Sequence, residues 1–239
     1  FGKEVSLTDE EFSGKLLFVL LNLLLLVVNV LDIQFMFIDN KLPKGVTYSE
    51  FVHQGTGMLI TSILMAIAII LFYFRGALNF SNKGRVIKWL AYTWIIQNAF
   101  MICSTLFRNN MYVSEYGLTY KRIGVYVYLI LTLIGLITTY IKIAKIKSNF
   151  FLFRVNGWAF YSVLVMATVV NWDRFISDFN INKAKKVQTE YLLDLSYTVL
   201  PKLYTYHVDS VKENEQHMKY FVLRSGILDF ERIRDGQLY

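Results

Sequence analysis

Leu16–Leu31 reads LLFVLLNLLLLVVNVL, with no charge and with Asn22 and Asn29 as its only polar side chains. A helix of about 20 such residues crosses the roughly 30 Å hydrocarbon core of a bilayer, and its backbone groups are satisfied internally. The run continues past Asp32 and Gln34 to Ile38, which gives a first span over Leu16–Ile38. Four more low-charge runs follow at Gly55–Phe74, Trp89–Phe107, Ile123–Ile141 and Val155–Trp172. The expected fold is all-α: a polytopic helical membrane protein with five transmembrane helices and a small helical C-terminal appendage. Its parts are a polar N-terminal segment (1–15), a transmembrane helical domain (16–172) and an interfacial or soluble helical tail (173–239).

Composition agrees. The 239 residues are 55% hydrophobic, 18% charged and 16% aromatic, and the mean hydropathy is +0.40. These values place the chain in the membrane class. The net charge of +7 is uneven: residues 1–170 hold 15 Lys and Arg against 8 Asp and Glu, and the rest holds 10 of each. Basic residues beside spans meet anionic headgroups, so the bilayer is the expected partner. Nucleic acid is not, because no basic groove or binding motif is visible. Cys103 is the only cysteine, which excludes an internal disulfide or a cysteine zinc site. Its apolar neighbours predict a buried packing residue. The first residue is Phe1, not Met, as in a processed chain or a fragment.

Local signals place the connections. Thr8 followed by Glu11 reads as a helix start, and Thr47–Tyr48–Ser49–Glu50 reads as a capping box opening a short interfacial helix in the Asp39–Gln54 loop. Arg75–Lys88 and Lys142–Arg154 are basic and free of acid, which favours the cytoplasm for both; the tail then lies outside. Gly157, Ala159, Ser162 and Ala167 give the fifth span small residues for close packing. Asp173–Ile181 reads as an amphipathic helix, Lys183–Lys186 as a basic patch, and Thr189–Leu200 as a further helix ended by Pro201. Tyr204, Val208 and Val211 continue a helical pattern.

The polar residues of interest are few. Asn22, Asn29 and Asp32 fall near one face of the first span. Asp32 reads as a proton or ion site, as a residue close to the interface, or as a carboxylate paired with a nearby Arg. Asn22, Asn29, Gln97 and Asn98 read as hydrogen-bonding residues between helices. His53 has no second His nearby and reads as an interfacial residue. The bridge Cys103–Tyr126, CSTLFRNNMYVSEYGLTYKRIGVY, repeats Arg108, Glu115 and Arg122 at intervals of seven and Tyr112, Tyr116 and Tyr120 at intervals of four. On a helix these form a charged stripe and a tyrosine stripe, the tyrosines at headgroup depth. Gly117 is expected to end the helix, which lets Arg122 turn back toward Glu115. The polar cluster singled out is Asp32, Arg108, Tyr112, Glu115, Tyr116, Gly117, Thr119 and Arg122.

LFRNNMYVSEYGLTYKRI in this bridge resembles the signature of a bacterial family of multi-spanning membrane proteins catalogued as a domain of unknown function. The matching positions are Arg108, Tyr112, Glu115, Tyr116, Gly117, Leu118, Thr119 and Arg122. YSEFVHQG at Tyr48–Gly55, and NWDRFISDFNI followed by YLLDLSYTVLP, are similar to flanking parts of the family. Trp172 stands where members typically have Pro. The resemblance covers roughly residues 48–205. It implies a helical inner-membrane protein, longer at the N-terminus than this chain, and brings no activity, substrate or cofactor.

Function is therefore weighed on residues alone. No HExxH, GxSxG, GxGxxG or Walker A run occurs, and Asp32, His53 and Glu115 are scattered. No catalytic residue, cofactor or metal site is expected: three separated His and one Cys do not make a closed ligand set. No span contains Pro, and Asp32 is the only charge within one, which speaks against a transporter. The leading expectation is a non-enzymatic structural or accessory subunit of a complex in the bacterial inner membrane, with other membrane subunits as partners. A small-solute or ion transporter and a membrane-embedded enzyme are the alternatives.

Overall fold

The computed structural model describes residues 2–34, 45–73 and 85–188, with Tyr191, Leu192, Asp194, Leu195, Val199 and Lys202 beyond them; side chains are described from Phe12 onward and, in the second helix, as far as Met65. The described elements are α1 (Gly2–Gln34), α2 (Tyr48–Tyr73), α3 (Arg85–Tyr116), α4 (Tyr120–Ala144), α5 (Asn149–Val169) and α6 (Trp172–Lys183). No strand occurs among the described residues.

Four helical stretches among them are long and apolar enough to cross a membrane: Phe12–Gln34, Arg85–Tyr116, Tyr120–Ala144 and Asn149–Val169. Among the described residues the count is thus four, against the expected five. The expected second span lies on α2, whose side chains beyond Met65 fall outside the described residues. Boundaries shift as well. α1 begins at Gly2, so Thr8 lies inside it rather than capping it. The Asp39–Gln54 segment is already helical from Tyr48, and its helix is the start of α2 rather than a short separate one. The last span ends at Val169. Asn171 accepts a hydrogen bond from the Arg174 N–H and opens α6, so Trp172 belongs to the next helix. The Arg75–Lys88 connection up to residue 84, residues 35–44, and the tail with Tyr204, Val208, Val211, His207 and His217 lie outside the described residues.

The chain divides into two compact units. The first holds 1–110 and 124–166, the second 111–123 and 167–239. In the first unit, α1 shows why the fold suits lipid. Phe18, Leu21, Asn22, Leu25, Asn29 and Asp32 are buried at helical spacing. The opposite faces carry Leu20, Leu23, Leu24, Val27, Val30 and Leu31, all exposed. Polar groups inside and aliphatic groups outside is the arrangement a hydrocarbon solvent demands. Phe18, Leu25, Leu59, Ala91, Trp94, Met101, Leu129, Leu136 and Ile143 form one core. α5 adds little to it: only 6% of its most apolar stretch is buried. Gly157 has nothing within 4 Å of where a Cβ would stand, so the expected close packing through it is not made among the described residues. Cys103 is exposed, against the expectation of burial. It lies on the outer face of α3, between the inward-facing Ile102 and Ser104.

In the second unit, α6 buries Ile176, Ser177 and Asn180 and exposes Phe175. The expected amphipathic helix Asp173–Ile181 is therefore present and slightly longer. After it, the Leu192 N–H bonds to the Gln188 carbonyl, and Leu192 and Val199 are buried.

Candidate functional site

The singled-out residues fall into two groups, one in each unit. In the first unit, Asp32 of α1 meets Arg108 of α3 as a salt bridge with both side chains buried. Ser104, one turn before Arg108, donates its hydroxyl to the other Asp32 oxygen at 2.5 Å. Arg108 also donates to the Phe51 carbonyl at 3.1 Å and lies 4.0 Å from the centre of the Phe51 ring. Gly55, one turn on from Phe51, makes the space: a Cβ there would stand 3.2 Å from Arg108 Cδ. Of the readings of Asp32, the carboxylate paired with an Arg is the one present in this geometry. A charge in a dehydrated helix bundle stands only with such a partner and further hydrogen bonds.

The other polar residues of these helices are joined too. Asn22 donates to the Leu90 carbonyl at 3.1 Å and accepts from Gln97 Nε2 at 2.8 Å. Asn29 donates to the Gln97 carbonyl at 3.3 Å. Ser62 donates to Asn98 Oδ1 at 2.9 Å and accepts from Trp94 Nε1 at 3.2 Å. His53 is exposed, with Nδ1 2.8 Å from the Ser49 carbonyl of its own helix. At the start of α2 the capping box is complete. Glu50 Oε2 accepts from the Thr47 N–H at 2.9 Å, and the Glu50 N–H donates to Thr47 Oγ1 at 3.2 Å. The Thr47 backbone N–H thereby holds the Glu50 carboxyl below the usual carboxylate range.

In the second unit, Met111–Ile123 builds the C-terminus of α3 and the turn into α4. A helix leaves its last four carbonyls without intrahelical partners. Here each finds one. Val113 accepts from the Gly117 N–H at 2.7 Å, Ser114 from the Lys185 N–H at 3.3 Å and Glu115 from the Lys186 N–H at 3.0 Å. Tyr116 accepts from Arg122 Nη1 at 3.0 Å, and the same nitrogen reaches the Gly117 carbonyl at 2.5 Å. Gly117 has φ +78°, the left-handed conformation that ends a helix and favours glycine. Leu118 is held by both ends of one amide. Its N–H donates to Asn180 Oδ1 at 2.5 Å, and Asn180 Nδ2 donates to its carbonyl at 2.9 Å. Thr119 caps α4, its Oγ1 accepting from the Arg122 N–H at 3.3 Å.

The side chains complete this corner. Arg122 stacks 3.8 Å from the centre of the Tyr112 ring, and Tyr112 meets Tyr116 edge to face at 5.6 Å. Glu115 pairs with Lys186 at 2.8 Å and Lys185 at 3.7 Å, rather than with Arg122 as its spacing suggested. Tyr120 donates its hydroxyl to Asp173 at 2.5 Å, and its N–H donates to the Tyr191 hydroxyl at 2.9 Å. Burial pushes the Tyr191 phenol up. The cations Arg122, Lys185 and Lys186 gather where the α3 dipole is negative.

Sequence reasoning missed several partners. Asn180 and Asp173 gave no signal beyond lying in a stretch similar to the family. Lys185 and Lys186 were visible only as part of a basic patch. Lys142, in the last turn of α4, is fully buried although it reads as a connection residue. Among the described residues no three His, Cys, Asp or Glu side chains come together as a metal-ligand group.

No curated protein matches the chain, and no solved structure does. A family match covers residues 5–206, reaching further toward the N-terminus than the resemblance over 48–205. The chain therefore belongs to the family described as Domain of unknown function (DUF4153).

Proposed function

We propose that this multi-pass membrane protein is a non-enzymatic structural or accessory subunit of a complex in the bacterial inner membrane. The observation that carries the reading is the use made of the polar residues. Asp32 is neutralised by Arg108 and bonded by Ser104 between buried helices. The signature residues Glu115, Gly117, Thr119 and Arg122 close a helix end and start the next helix. A carrier's ionisable residue instead faces a water-filled path, and an enzyme's reactive groups converge on a shared point. Partners inside the bilayer are supported by α5, whose apolar stretch is almost unburied by the chain's own helices. The acid-free basic segment Lys142–Arg154 supports a cytoplasmic position for that connection.

The test is purification of the tagged chain from native membranes in mild detergent. A membrane protein held at fixed stoichiometry through size exclusion is the expected result. If the chain purifies alone, and in liposomes drives a solute or ion flux that Asp32→Asn abolishes, it is a transporter and the proposal is wrong.

A further inference from the structure

A cavity of about 530 Å³ opens within the first unit, lined by Trp94 of α3, by Tyr128, Thr132 and Leu136 of α4, and by Asn156 and Phe160 of α5. Its volume lies in the range of ligand pockets, about 300–1,000 Å³. Two missing side chains shape it. Gly157 faces open space, and a Cβ on Gly135 would meet only Asn156 Oδ1, at 3.8 Å. The exposed rings of Phe153 and Phe160 flank it. Thr132 is the middle residue of α4, so the recess sits at hydrocarbon depth if α4 crosses the bilayer as its length and composition allow.

We infer that this recess binds one acyl chain of a bilayer lipid. The walls are mostly aromatic and aliphatic, and the helix on its outer side, α5, is nearly all exposed. The phase that bathes the flanking rings is therefore lipid, and an empty apolar recess beside it would forfeit dispersion contacts on every wall. The polar lining does not demand a polar occupant. Asn156 donates to the Leu152 carbonyl of its own helix at 3.0 Å. Threonine hydroxyls in α4 have the same recourse, as Thr138 shows by donating to Ile134 at 2.7 Å. The inference requires lipid on the Phe153 and Phe160 side of α5, so a partner subunit meets α5 elsewhere on its exposed surface.

Brominated lipid tests it, because bromine quenches indole fluorescence at close range. Trp94 lines the recess and is only 2% exposed, whereas Trp158 is 65% exposed on α5. Two versions of the full chain each keep one of these two tryptophans and carry Phe at the other three. Both are placed in bilayers of dioleoylphosphatidylcholine or its dibrominated counterpart. Trp94 is expected to be quenched within about twofold of Trp158 despite its burial, because a chain lies against it. Gly135→Leu fills the recess and is expected to lower Trp94 quenching about twofold while leaving Trp158 unchanged. If that variant does not fold, Gly157→Leu serves instead. Trp94 quenching that is absent, or that persists unchanged in the filled and folded variant, overturns the inference. So does quenching of Trp94 by aqueous iodide, which would mean that the recess opens to water.

Discussion

Replacing Arg108 by Met tests the frame of the first unit most directly. Asp32 would keep the Ser104 hydroxyl but lose its counter-charge, at a site where the Asp32 residue is 6% exposed. Breaking a buried pair from one side costs about 3–5 kcal/mol, because the remaining charge stays dehydrated. Asp32→Leu should cost a similar amount, since Arg108 keeps the Phe51 carbonyl and ring but no anion. The double change removes both charges and puts apolar side chains of comparable volume into a helix interface. It should cost about 2 kcal/mol or less, far below the sum of the singles. The assay is unfolding of the purified protein in mixed micelles by increasing dodecyl sulfate, followed by circular dichroism. A coupling of about 3 kcal/mol or more is the expected outcome. Singles that each cost under about 1 kcal/mol, or a double equal to their sum, would refute the claim that this pair stands dehydrated between helices.

Three other outcomes follow from the contacts described. Gly117→Ala should destabilise the chain by about 1–3 kcal/mol, because φ is positive there and a Cβ would strike the Asn180 side chain; loss of protection in the 184–188 segment in hydrogen exchange is its local sign. Glu115→Gln and Glu115→Ala should both melt within about 3 °C of the wild type, since Lys185 and Lys186 are 69% and 63% exposed and such pairs contribute little; a larger shift would make Glu115 the pin of the corner. The Glu50 carboxyl is depressed below its ordinary value in the folded chain, so its contribution is present above that ordinary value and is lost as the pH falls through the folded one. Protection of the first amides of α2, corrected for the intrinsic exchange rate, should accordingly fall on that acid side, and Glu50→Gln should remove that pH dependence because the Thr47 N–H bond no longer meets a titrating group.

The fold was legible where the chain must satisfy hydrocarbon. Long uncharged runs have one solution, so the helical class and most span positions followed from composition. Helix ends were read less well. The helix of the third span runs past Phe107 to Tyr116, the end that the bridge reading gave it at Gly117, whereas the start of α1 was misplaced and that of α2 was read as a short separate helix. Cys103 was misplaced for a different reason. In lipid an apolar neighbourhood does not distinguish inside from outside, since both faces are apolar. The outward-facing leucines of α1 would have signalled a core in water.

The polar residues were legible as kinds and not as partners. The seven-residue spacing of Arg108, Glu115 and Arg122 suggested one charged stripe, but Gly117 interrupts the helix between the second and the third. Arg122 then reaches back over the turn to the α3 carbonyls, while Glu115 is met by lysines some 70 residues later. No local pattern encodes that meeting, because the cations needed at a helix C-terminus can come from any segment that folds against it. One sign was available beforehand. Two of the stretches similar to the family, the bridge and NWDRFISDFNI, bind each other through side chains and backbones, by Asn180 on Leu118 and Asp173 on Tyr120. Residues spent on capping a helix and clamping its neighbour are what a structural corner requires. Chemistry built on the same residues would require the corner to open, and Gly117→Ala, which loosens it without touching a titratable group, separates the two possibilities. Lost stability with unchanged behaviour in the surviving folded fraction identifies a corner, whereas a variant as stable as the wild type that has lost its function identifies chemistry.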